Sequence, residues 1–437
     1  MFFRKKPSCD VIREVESRID PITGAYNRKG LYAGIKDKII KDIEFSIIYI
    51  TINNFNVIND SYGHAYGDEL LRRIARRLER RNGQNGIVSR VGGAEYVVVI
   101  DGTEDAQIVA DRLLDAIRQK IIIDVGESRL VCHVDGYAGV AIYPRDATDY
   151  ESLIKFADIA LREAIANMSK QSYVFSLEML ETINRQMHIK NLIKEGLAKE
   201  LFYICYQPQY ELKQKKLRGF EALLRLKTED GVIISPGEFI PVAEKSDLIM
   251  QIDDYVLERV MNEFKDAVLL NSDLIVSVNV SAHNFSDVMF SDKVKRLLKE
   301  TEFPPQNLEI EITEYCMVSS MNRTSNNIAA LKELGVGIAL DDFGTGYSSL
   351  NYLSKLPFDL LKIDKSLIDD IDNNPMRRAF VGDVISMGQH MDCEVIAEGV
   401  ENENQIKVLC EDGCNYMQGY VWGKPLSYED ALGLVMK

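Results

Sequence analysis

Long apolar runs are missing from this sequence. None approaches the ~20 residues that a membrane-spanning helix needs, and the opening MFFRKK lacks the extended apolar core of a signal peptide. The first nineteen residues read as one short helix, which leaves room for a sensor or membrane segment upstream. Metal-binding patterns of the soft kind are also absent. The five histidines never fall close together, and the seven cysteines, an odd number, show no CxxC spacing; zinc frameworks are excluded and reduced thiols in a cytoplasmic setting are expected. Cys410 and Cys414, four apart near a helix end, read as packing. Positive charge is in deficit: 52 Lys and Arg against 67 Asp and Glu leave a net charge of −15, the wrong sign for gripping a polynucleotide backbone. The local exception, RRIARRLERR (Arg72–Arg81), reads as a solvated helix face or a dimer contact rather than a nucleic-acid patch.

What is present falls into two halves with different rhythms, as 437 residues allow. From Asp20 to Ser176, strand-like FSIIYITINNF, helical GDELLRRIARRLER, a hairpin about Gly92-Gly93, helical AQIVADRLLDAIRQKI, strand-like RLVCHVDGYAGVAIY and helical YESLIKFADIALREAIANM follow one another. This order fits a ferredoxin-like sheet covered by helices. Residues 177–191 form a helical connection, and residues 192–437 repeat one unit, a short apolar strand ending in a polar residue and followed by a helix. Eight such strands predict a (β/α)8 barrel of TIM type, so the whole is an α/β protein.

The strand ends of such a barrel meet at one mouth. Glu221, Asn279, Glu311, Glu314, Asp341, Asp342, Lys362, Asp364, Glu398 and Gln418 lie at or near them. Seven acids in one mouth repel unless cations are bound. Oxygen ligands without His or Cys suit Mg²⁺ or Mn²⁺, and two such ions could drive hydrolysis of a phosphodiester. Taken singly, an acid after a strand is more often a helix N-cap; the joint occurrence is what carries the metal reading. DFG at Asp342–Gly344 lacks the other kinase motifs and is set aside.

On these residues the second half resembles the EAL-domain phosphodiesterases, barrels that hydrolyse cyclic di-GMP to linear pGpG. The resemblance implies that Glu221 (EALLR), Asn279 (NVS), Glu311 (EITE), Asp341 and Asp342 (DDFGTG), and Glu398 (EGVE) are metal ligands. By the same likeness Arg225, Gln207 and Asp364 contact substrate, and Lys362 (KID) holds the attacking water. Glu398 is ligand or general base, Gln418 (QGY) lies beside substrate and water, and Glu314 anchors the DDFGTGYSSL loop. It also implies a homodimer through the barrel. An intact set favours a hydrolase over a receptor that binds cyclic di-GMP without turnover.

The first half resembles the GGDEF diguanylate cyclases, but with departures. Ala94 in RVGGAEYVVVI and Thr51 stand where the family has metal-binding acids, Asn53 replaces another acid, and Ile165 and Ser169 replace triphosphate-holding Lys and Arg. Gly83 and Gly86 occupy the RxxD positions of the product-inhibition site. These losses imply no cyclase activity, and residual activity ranks last among the readings. Asn59 and Asp68, the guanine-reading pair, are retained. They read equally well as a regulatory GTP site or as structural caps.

Overall fold

The computed structural model describes residues 17–82, 86–103, 105–125, 128–167, 170–344 and 356–436. The expected N-terminal helix (apart from residues 17–19), Gly83, Ser169 and the loop beyond Gly344 lie outside the described residues. The chain divides into two units, Met1–Arg185 and Gln186–Lys437.

The first unit is organised around β1 (Phe45–Ile52), whose FSIIYITI is buried almost throughout. Alternate side chains leave opposite faces of a strand, so this run serves two cores. Ile48, Ile50 and Ile52 pack with Leu70, Leu71 and Ile74 on one side; Phe45, Ile47 and Tyr49 pack with Leu31, Leu153 and Leu161 on the other. β2 (Ile87–Gly92), β3 (Glu95–Asp101), β6 (Gly136–Tyr143) and β7 (Ser172–Val174) complete a sheet in the order β2-β3-β1-β6-β7. β1 is antiparallel to both β3 and β6, the expected ferredoxin-like arrangement. A Cβ at Gly139 on β6 would sit 2.1 Å from backbone atoms of Ala157 and Leu161, so glycine lets the helix Tyr150–Ala166 lie directly on the sheet.

Three local expectations are corrected. The stretch Arg129–Tyr143 is not one strand: β4 (Ile121–Val125) and β5 (Ser128–Cys132) form a separate hairpin, and β6 begins only after Asp135. The turn of RVGGAEYVVVI is Gly93-Ala94, with Gly92 paired to Glu95 and Gly93 at φ +46°. Ala94 is half-buried against the core. The Arg72–Arg81 run is partly an internal tie: Arg77 donates to the carbonyls of Ala116 (3.1 Å) and Lys120 (2.6 Å) at the end of the helix Ala106–Arg118, while Arg72 and Arg73 pair with Glu69.

The second unit is the barrel. β8 (Phe202–Glu211), β9 (Leu217–Lys227), β11 (Ile275–Asn279), β12 (Leu308–Thr313), β13 (Gly337–Phe343), β14 (Leu360–Ile363), β15 (Glu394–Ala397) and β16 (Tyr416–Gln418) form a ring that closes by pairing of β8 with β9, and β10 (Ile233–Ile234) is appended to β9. Seven strands are mutually parallel, but β8 runs antiparallel to both β9 and β16. Only Leu212–Lys216 separate β8 from β9, and so short a connection permits a hairpin but no helical crossover. Phe220 faces outward onto Phe264 of the helix Leu248–Leu270. Its neighbour Glu221 therefore faces inward, which is how one strand serves both the helical shell and the site.

Candidate functional site at the barrel mouth

Lys362 is the centre of the site. Its side chain is 1% exposed, and its Nζ lies 2.6 Å from Glu311, 2.8 Å from Glu398, 3.1 Å from Asp341 and 3.4 Å from Glu221. These groups come from β14, β12, the end of β15, β13 and β9, and meet because residues two apart on a strand share the inner face. Asn279 at the end of β11 donates to Glu221 Oε1 at 2.7 Å, and Gln418 on β16 donates to Glu221 Oε2.

Four carboxylates face one ammonium, and two like charges 4 Å apart repel by about 4 kcal/mol at an effective dielectric of 20. The acids respond unequally. Burial pushes Glu311 well above the usual carboxylate range, reinforced by Glu221 and Asp341 and opposed by Lys362. Burial, with Asp341 and Glu221, likewise pushes Glu398 up to about 8 against the pull of Lys362. Burial also resists ionisation of Glu221, but Lys362 and the Gln418 and Asn279 hydrogen bonds outweigh it and hold that carboxyl low. Burial would lower Lys362, yet the acids keep it well above the ordinary lysine value. Such a cluster lacks positive charge. Carboxylate oxygens of Glu221, Glu311 and Asp341 lie within 4.8 Å of one another, the only such grouping of three or more Asp, Glu, His or Cys among the described residues, and Glu311 Oε1 is buried with no hydrogen-bond partner. An all-oxygen donor set with an unused buried acceptor fits a hard divalent cation.

The remaining sequence-predicted residues are placed as follows. Asp342 follows Asp341 at φ +56°, a left-handed conformation uncommon for a residue with a side chain, at a register break between β13 and β14. Such a break re-aims a side chain. Burial, with Asp341 and Asp364 nearby, pushes the Asp342 carboxyl up to about 6. Glu314 accepts from the Gly344 amide at 3.3 Å. Asp364 accepts from Ser366 N at 2.9 Å as a helix N-cap, the commonplace role for such an acid. Gln207 pairs in register with Glu221. Arg225, Asn279 and Asp342 line a cavity of about 530 Å³.

Asp253 is a lining residue that strand-end reasoning could not find, because it sits inside the helix Leu248–Leu270. It accepts from Ser281 N (3.1 Å) and Ser281 Oγ (2.6 Å), fixing the turn after Asn279. Burial outweighs these bonds and pushes its carboxyl up to about 7. A raised acid binds more protons folded than unfolded, so stability falls as pH rises from about 4 to about 7. Asp253→Asn should remove a penalty on the order of 2–4 kcal/mol above pH 7; thermal melts are expected to show a gain at pH 8 that disappears near pH 4.

In the first unit, Thr51 pairs with Glu95, and Ile52 N donates to Ala94 O at 3.1 Å. The two positions are thus neighbours, and neither carries a carboxylate. Asn59 Oδ1 is buried without a hydrogen-bond partner and lies so close to Gly67 that a Cβ there would sit 2.0 Å away. That oxygen makes no capping bond.

Residues 190–425 match the EAL domain family, and residues 17–171 match the diguanylate cyclase GGDEF domain family. The signaling protein YkoW of Bacillus subtilis (strain 168) is 37% identical over 389 residues, covering 88% of this chain and 48% of YkoW. The cyclic di-GMP phosphodiesterase NbdA of Pseudomonas aeruginosa is 31% identical over 421 residues, 94% of this chain and 53% of NbdA. This chain therefore spans about half the length of the curated relatives it matches. A solved structure described as the PaMucR phosphodiesterase in complex with c-di-GMP is 33% identical, superposes with a TM-score of 0.54, and matches 56% of this chain and 99% of that one.

Proposed function

From the premise that the chain belongs to the EAL-domain family, with a GGDEF domain ahead of the EAL domain, we propose that it hydrolyses cyclic di-GMP to pGpG at the barrel mouth. The observation that carries this reading is the complete acidic ring about Lys362, joined to a cavity of about 530 Å³. Glu221, Asn279, Glu311, Asp341, Asp342 and Glu398 would hold Mg²⁺ or Mn²⁺, two ions in all. Those ions, when bound, acidify water and offset charge on the phosphate. Lys362, fixed by the acids around it, orients the attacking water. Arg225 steadies a phosphate oxygen, with Gln207 and Asp364 contributing to substrate contact. A new P–O bond forms in line as the bond to the leaving 3′-oxygen breaks; Glu398, which bound cations would return to its carboxylate form, accepts the water's proton and the alkoxide takes one from solvent. Gln418 and Glu314 keep Glu221 and the Gly344 segment in place.

The GGDEF unit, in this proposal, does not cyclise GTP, because Thr51 and Ala94 supply no carboxylate where the family has two. Asn59 and Asp68 serve a regulatory GTP site, and the barrel forms the homodimer contact. Incubation of the purified chain with cyclic di-GMP and Mg²⁺ or Mn²⁺, with chromatography for pGpG, tests the hydrolase. Metal-dependent pGpG is expected, whereas tight binding without product would make the chain a receptor. Millimolar GTP is expected to change the hydrolysis rate without yielding cyclic di-GMP. Identical kinetics with and without GTP, in the parent and in Asn59→Ala, would remove the regulatory site.

A further inference from the structure

The barrel holds a second buried polar group below the acidic ring. Arg218, at the start of β9, donates to both carboxylate oxygens of Glu309 on β12, at 3.1 and 2.6 Å. Ser277 Oγ of β11 also donates to Glu309, at 2.7 Å. The Arg218 and Glu309 side chains are 9% and 4% exposed. Arg218 makes a third bond, to Gln209 Oε1 on β8 at 2.7 Å. Gln209, fully buried and directly opposite Gln418 in register, donates its Nε2 to Gln418 Oε1 at 3.1 Å. Gln418 in turn donates its Nε2 to Glu221 Oε2.

This chain has a direction. A guanidinium can only donate, so Arg218 selects the oxygen of the Gln209 amide and turns its nitrogen toward Gln418. That nitrogen selects the oxygen of Gln418, whose nitrogen must then face Glu221. Without Arg218 the two amides could turn over together, and Gln418 would present an oxygen to the Glu221 carboxylate. We infer that Arg218, held by Glu309, is a positioning residue that sets the orientation of Gln418 and so holds Glu221 ready for its ligand, from outside the acidic ring. A partner bonded directly to a metal ligand, as Gln418 is to Glu221, typically changes metal affinity or activity by 10- to 100-fold, and Arg218 acts on it through Gln209, three hydrogen bonds from Glu221. The inference rests on Glu221 being a metal ligand, as proposed above.

Two variants of the full chain test it. Arg218→Met combined with Glu309→Met replaces a buried ion pair by apolar side chains, a change often neutral for stability, and removes the directing donor. Gln209→Glu keeps a partner for Arg218 but can no longer donate to Gln418. Mn²⁺ affinity is read without substrate, from the paramagnetic resonance signal of the free ion, beside kcat, KM and the melting temperature. Both variants are expected to bind Mn²⁺ about tenfold more weakly and to lose about tenfold in kcat while melting within a few degrees of the parent. Arg218→Lys, still donor-only, is expected to return both values to within about threefold. Parental Mn²⁺ affinity and kcat in a folded Gln209→Glu variant would overturn the inference, and that variant decides alone if the double variant fails to fold. A parent that binds Mn²⁺ but yields no pGpG would sink the hydrolase reading, while the Mn²⁺ comparison would still decide the relay.

Discussion

Glu221→Ala is expected to all but abolish hydrolysis of cyclic di-GMP, with kcat down about a hundred- to a thousandfold, while the barrel stays folded. The reasoning is local. Glu221 is the acid that Asn279 and Gln418 both hold, and it is kept ionised while Glu311 and Glu398 are driven toward their neutral forms. Among the four acids facing Lys362 it is thus a carboxylate already prepared to receive a cation, and losing one donor group in a preorganised electrostatic site commonly costs 10²–10³ in kcat. Its removal orphans one buried amide, that of Gln418, worth about 1–3 kcal/mol, while water can serve the exposed Asn279; it also relieves repulsion from Glu311 and Asp341, so the melting temperature should move by only a few degrees. Assay of pGpG release alongside a thermal melt checks both halves. A fully active variant would refute the site.

Lys362→Met should have a larger effect on the protein itself. Without the ammonium, Glu221, Glu311, Asp341 and Glu398 remain in one buried cluster with no cation among them, and breaking a buried ion pair by removing one partner costs about 3–5 kcal/mol. The sign of the pH dependence follows. Without Lys362, Glu311 and Glu398 lose the pull that opposed their raised proton affinities, and Glu221 loses the main influence holding its carboxyl low, so the variant's stability deficit is small below about pH 4 and grows as pH rises through neutrality. Mn²⁺ should recover part of the lost stability, because a ligand that binds the folded state alone stabilises it by mass action. Thermal melts at pH 5 and pH 8, with and without Mn²⁺, measure all three effects. A deficit independent of pH and of metal would show that Lys362 is only packed there, not balancing charge.

Both predictions rest on residues that the sequence itself marks out, and the reason is mechanical. A parallel strand delivers its last inward side chain to the mouth, so a polar residue closing an apolar run is visible as an interruption of hydrophobicity. Glu311 in LEIEITE and Lys362 in FDLLKIDK are of this kind. Asp253 interrupts nothing visible, because helices tolerate acids on most of their surface. Arg218, Glu309 and Gln209 are also hidden: they sit in strands, but their importance lies in which atom each presents to the next, and side-chain polarity along a chain of contacts is not written in residue order. The antiparallel β8 could have been suspected from the short LKQKK connection. The split of Arg129–Tyr143 into two elements has no comparable signal, since its apolar residues continue on both sides of His133-Val134-Asp135.

The antiparallel course of β8 has a further consequence for how the chain is threaded. In an all-parallel barrel the first strand begins at the floor, and whatever precedes it arrives at the end remote from chemistry. Here Phe202 lies opposite Leu226 and Tyr210 opposite Leu217, so the strand starts at the mouth and descends. The helix Leu177–Lys199 therefore hands the chain over at the reactive end, eight residues ahead of Gln207 and one strand from Glu221. The barrel is thus entered beside its ring of acids rather than from the floor.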